Sequence, residues 1–95
     1  MLPFVSLDAV RGGYGIIRDL EGAYKTHTIQ VSVSGPTASF QVMLQGSLDG
    51  VTWVNLDSTM ATGLRTVSTH YVRYVRAWAN LQPEGTAVTV AIASA

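Results

Sequence analysis

The chain has 95 residues, six Lys+Arg against six Asp+Glu, a formal net charge of zero and no cysteine. Only 13% of its residues are charged and 47% are hydrophobic. That balance sets disorder aside and leaves neither a basic footprint for nucleic acid nor a polybasic surface for a membrane, while the missing cysteines exclude a disulfide scaffold, a thiol nucleophile and a Cys-based zinc site.

The chain opens on Met1-Leu2-Pro3-Phe4-Val5, without the basic start, long apolar stretch or small-residue cleavage site of an export signal. This points to a protein made and used without export, which leaves later release inside a particle open. Residues 1–13 follow no clear period and end at Gly12-Gly13. They are expected to form an irregular N-terminal arm, with 14–95 as a single β domain. Residues 16–23 are the best helical candidate, but glycines flank them and no helical period convinces. Residues 26–34 alternate cleanly, with His27, Ile29, Val31 and Val33 on one face and Thr28, Gln30, Ser32 and Ser34 on the other. Period two with one polar face predicts a half-buried antiparallel strand.

Gly35-Pro36 ends that strand, and 38–47 repeats the pattern through Phe40, Val42 and Leu44. Asp49-Gly50 predicts a tight type I′ hairpin, because both central positions of such a turn need positive φ. Residues 51–56 are the return strand. A polar loop over 57–63 follows, then a short strand over 64–68 and a long β-rich run over 71–79. Pro83-Glu84-Gly85 makes a turn, and 86–93 alternates Val88, Val90 and Ile92 against Thr89 and Ala91. Strands spaced by roughly 8–12 residues, with Gly and Pro turns between them, predict an all-β antiparallel sandwich or small barrel.

Two motifs stand out. Ser47-x-Asp49-Gly50-x-x-Trp53 is a turn whose return strand carries a large aromatic to be packed. Tyr71-Val72-Arg73-Tyr74-Val75-Arg76 places two arginines three apart. On a regular strand they face opposite sides, unless a bulge brings them together. Either arginine could bind a partner carboxylate or cover aromatic neighbours with its stem.

The catalytic search is nearly empty. His27 and His70 are the only histidines. Ser68, His70 and Asp57 make a triad only on paper, with no nucleophile-elbow sequence beside them. Arg11-Gly12-Gly13-Tyr14-Gly15 lacks the Lys-Ser/Thr ending of a phosphate loop. Asp49 alone falls far short of a calcium shell. No enzyme activity, metal or cofactor is expected.

The segment S-x-D-G-x-x-W followed by R-Y-V-R resembles the discoidin-like jelly-roll sandwiches over the central half of the chain. Over most of its length, GPTASFQVMLQGSLDGVTWVNL, YVRYVRA and TAVTVAIASA are similar to the small jelly-roll proteins with which tailed bacteriophages decorate or cement their capsids. This resemblance implies a structural virion protein on the capsid exterior, made in the host cytoplasm, whose partner is the major capsid protein. Leu2, Phe4, Val5, Tyr14, Ile16 and Ile17, with Arg18 beside them, are the expected contact residues, because they lie outside the clean core pattern. A chain of this size buries only roughly 60–65% of its unfolded surface. A homo-oligomer is therefore expected, a trimer before a dimer. The alternative is a carbohydrate-binding sandwich of a phage head or tail fibre, using Trp53, Tyr71, Tyr74 and Trp78; strand parity puts Tyr74 and Trp78 on one face and Tyr71 on the other.

Overall fold

The computed structural model describes residues 3–36 and 39–95. The strands are β1 (Phe4–Val10), β2 (Gly13–Tyr14), β3 (Arg18–Ser34), β4 (Val42–Ser47), β5 (Val54–Thr59), β6 (Gly63–Ala79) and β7 (Ala87–Ser94), with no helix among the described residues. All pairings are antiparallel. The ladder runs β1-β7-β3-β6-β4-β5, with β2 added to β6.

The 17-residue strands β3 and β6 are long enough to serve both layers of a sandwich. The C-terminal part of β3 pairs with β7 and with the first part of β6. The second part of β6 pairs with β4. The ladder then folds over, so that Ser6 on β1 meets Ala77 on β6: the Ser6 hydroxyl accepts from Ala77 N at 2.9 Å and donates to Ile16 O at 2.9 Å. Between the layers lie Ile29 and Val31 of β3, Val42 and Leu44 of β4, Val75 and Ala77 of β6, and Val88, Val90 and Ile92 of β7, all buried. These are the inward positions of period-two strands, so the alternation in the sequence is the core itself.

Several expectations change. The return strand expected over 51–56 is β5, Val54–Thr59, and the polar loop expected over 57–63 shrinks to residues 60–62. The N-terminal segment is irregular in register, but it is not detached. Phe4–Val10 hydrogen-bonds along β7, with shifts between Val5 and Leu7 and between Leu7 and Val10. Apolar residues at Phe4 and Leu7 gain burial by pairing, so Gly13 marks no structural division. Residues 64–68 and 71–79 are one strand, since both parts stay paired with β3 across a bulge that β3 carries. Asp49-Gly50 does not make a two-residue hairpin. Gly50 alone takes positive φ, 77°, and residues 48–53 form a longer loop. Side-chain bonding explains this. Asp49 Oδ1 accepts from the Ser47 hydroxyl (2.9 Å), Val51 N (2.8 Å) and Thr52 N (2.8 Å), while Ser47 Oγ accepts from Gly50 N at 2.9 Å. Such bonds offer the backbone an alternative to the tight ladder turn.

Candidate binding surfaces

Three surfaces emerge from this framework. The first is the rim made by β1 and the segment that crosses it. Ile16 N donates to Ser6 O at 2.7 Å and Gly15 N to Ala77 O at 2.7 Å. A Cβ on Gly15 would overlap the Ser6 side chain and carbonyl, so only glycine lets the segment lie this close. Held there, Ile16 is 68% exposed and Tyr14 64%. Ile17 and Val5 are exposed beside them. A groove of about 230 Å³ runs past Asp8, Val10, Tyr14 and Ile16. Phe4 is half-buried against the core, with the Arg18 guanidinium 5.4 Å from its ring centroid. Leu2 lies outside the described residues.

The second surface is the outer face of β6 with β2 and β4. The inward residues of β6 are Val72, then Val75, Ala77 and Ala79. The odd step from 72 to 75 switches parity, where β3 carries three extra residues between Asp19↔Tyr74 and Tyr24↔Val72. Glu21, with φ of 58°, sits in that bulge. The switch turns both Arg73 and Arg76 outward, so the regular-strand expectation of opposite faces gives way to the bulged alternative.

Arg73 forms a two-point pair with Asp19, at 2.9 Å for each bond, and lies 5.4 Å from the Tyr74 ring centroid. The pair holds the Asp19 carboxyl down to about 2. Arg76 behaves differently. Its guanidinium lies over the Tyr14 and Trp53 rings, 4.2 Å from each centroid, and its Nε donates to Gln45 Oε1 at 2.8 Å. Trp53, expected to be packed, is half-buried, and its ring packs under Arg76 on this outer face. Tyr14 came from the expected contact set, and Trp53 and Arg76 from the two central motifs. Strand pairing of β2 with β6 brings them together.

The third surface is a cleft of about 310 Å³ at the loop end, between residues 47–54 and β6. Leu48, Val54 and Tyr71 give it apolar walls, and Asp49, Thr52 and His70 give it polar groups. Hydrogen bonds from Thr52 N, Val51 N and the Ser47 hydroxyl hold the Asp49 carboxyl down to about 2. The cleft escaped the sequence reading because its walls come from a loop and from a strand about twenty residues later; the only local sign was the D-G turn.

The paper triad does not assemble. The Ser68 hydroxyl is bonded to Thr26 Oγ1 at 2.8 Å, and both Asp57 oxygens face Arg65. His27 is fully buried, its Nδ1 2.7 Å from Ser94 Oγ, and burial pushes its pKa below the usual value. Among the described residues no cluster of three His, Asp or Glu side chains could hold a metal. No helix among them is long and apolar enough to cross a membrane.

No protein-family model matches the sequence, and no curated protein matches it. Solved structures do share its fold. The SPBc2 prophage-derived protein YomS superposes with a TM-score of 0.71 at 12% identity, over 99% of this chain and 92% of that one. The module CBM32-1 of a family 31 glycoside hydrolase from Clostridium perfringens gives 0.59 at 19% identity, over 92% and 71%. CpGH89CBM32-5 from the same organism, in complex with GalNAc-β-1,3-galactose, gives 0.54 at 11% identity, over 96% and 93%. At these identities the likeness establishes the β-sandwich fold.

Proposed function

We propose that the chain is a structural, non-enzymatic protein of a bacteriophage particle, a decoration or cement protein that binds across junctions of the major capsid protein. The carrying observation is the exposed apolar rim of Val5, Tyr14, Ile16 and Ile17, where backbone bonds from Gly15 and Ile16 hold the crossing segment to Ala77 and Ser6. Contiguous apolar surface of this kind marks a contact site. Nearly end-to-end likeness to a prophage-derived protein supports the setting. Binding only the assembled shell stabilises that shell by linkage. A trimer is the proposed free state, since symmetric shells favour symmetric components.

The test is co-sedimentation of the purified chain with particles lacking it, followed by their thermal disruption. Binding with a raised disruption temperature is expected; no binding and no shift would reject this reading. Light scattering behind a sizing column tests the trimer.

A second reading is glycan binding in the loop-end cleft. Tyr71 beside Asp49, Thr52 and His70 gives an apolar wall with polar groups, the pattern of small-ligand sites. The sandwich neighbour bound to GalNAc-β-1,3-galactose supports it. Tryptophan fluorescence against a glycan panel tests it, and an unchanged spectrum at millimolar sugar would count against it.

A further inference from the structure

Arg76 is set apart from the other arginines of β6. Arg65 has Asp57 and Arg73 has Asp19, each through two nitrogens. Arg76 is half-buried, and among the described residues no carboxylate lies within ion-pair distance of it. Its hydrogen-bond acceptor there is a neutral amide, Gln45 Oε1, taken by Nε. The two aromatic faces attract the charge through their quadrupoles but take no in-plane N–H bond. The two Nη amino groups are therefore left as a fork of fixed orientation.

Such a fork matches one group well. Guanidinium binds carboxylate in a planar, two-point geometry that lysine does not reproduce. The rings and Gln45 already hold the side chain, so little rotamer freedom remains to be lost on binding. An arginine packed in aromatics is also the usual composition of an interface hot spot. The Nη groups stand alone, with no second cation in the clamp. That suits a singly charged ligand better than a phosphate backbone, which several cations must neutralise.

We propose that the Tyr14–Arg76–Trp53 clamp receives one carboxylate, the side chain of an aspartate or glutamate on the protein shell to which this chain docks. The proposal rests on the docking reading above. It adds a polar anchor two residues from Ile16, so that the apolar rim and the clamp form one continuous contact.

The test has a solution arm and a shell arm. In the first, the isotope-labelled full chain is titrated with N-acetyl-aspartate N-methylamide, with the asparagine analogue as control. The resonances of the Arg76 Nε–H and the Trp53 indole are followed. A saturable shift at both with the aspartate compound, absent with the asparagine compound and lost in R76Q, is expected. Equal responses to the two compounds, or none to either, would overturn the site. Y14A provides a second variant should R76Q fold poorly; it should weaken the aspartate response several-fold, and an unchanged response would argue against the clamp. N-acetylneuraminic acid serves as a further probe. Saturation at a tenfold lower concentration than the aspartate compound would overturn the protein source in favour of an acidic sugar.

In the shell arm, R76Q should lower affinity for particles lacking the chain by roughly tenfold or more, with R76K failing to restore it; unchanged affinity would overturn the anchor. If the native chain ignores the shell while the aspartate compound still shifts Arg76, the docking reading fails and the carboxylate site stands without its shell assignment.

Discussion

Strand β7 has two neighbours, built under different constraints. On one side β3 pairs with it residue for residue, from His27↔Ser94 to Ser34↔Ala87, without a break. On the other side β1 pairs with the same strand through two register shifts, and Ala9 takes a φ of 51°. The β3 side cannot slip, because one residue of slip would turn Ile29 and Val31 out of the core. The β1 side has no further full strand beyond it among the described residues, and only Ser6 and Leu7 of it are fully buried. Bulges there cost little, and they spoil the edge as a template for further strands. The same irregularity leaves Val5 and Val10 exposed. Around β7, regularity thus tracks burial.

Truncations at matched distance from β7 break this comparison most sharply. Ile29→Ala should destabilise the chain by about 2–5 kcal/mol, read from the urea midpoint, because Ile29 is buried opposite Ile92. Val5→Ala should stay within about 0.5 kcal/mol. Similar values for the two would remove the distinction.

Gly15→Ala tests how the edge is held. The new methyl must displace Ser6, whose hydroxyl joins Ile16 to Ala77. A loss of about 1–3 kcal/mol is expected, with faster hydrogen exchange at the Ile16 and Ala77 amides and unchanged exchange along β3.

Acid should probe the regular side through His27. Burial lowers its folded pKa below 6.5, so the unfolded chain takes up a proton first. Stability should therefore be full above about pH 7 and decline as pH falls through 6.5 and below. His27→Gln should flatten that decline; an equally steep profile in the variant would assign it elsewhere.

The smallest effects belong to exposed carboxylates. Asp19 and Asp49, both held to about 2, favour the fold above the ordinary carboxylate pKa of 3.8 and lose that contribution as pH falls toward 2. Asp19→Asn should produce a slight loss that shrinks at about 1 M salt. Asp49→Asn should mainly speed proteolysis within residues 48–53.

The alternation of 26–34 and 86–93 determined the sandwich core unaided, since a strand buried on one face has no other way to place its side chains. The apolar residues outside that pattern also pointed to Tyr14, Ile16 and Ile17, which the fold leaves exposed. Tertiary structure decided the rest. Whether 4–10 hung free or joined β7 depended on partners roughly eighty residues away. The D-G turn was diverted by the Ser47 and Asp49 side chains, whose competition with the ladder no dipeptide rule contains. Arg76 met its aromatic partners only when β2 paired with β6 and brought Tyr14 alongside. Local period is written in neighbouring residues, whereas a site built from residues 14, 53 and 76 exists only once the chain has closed.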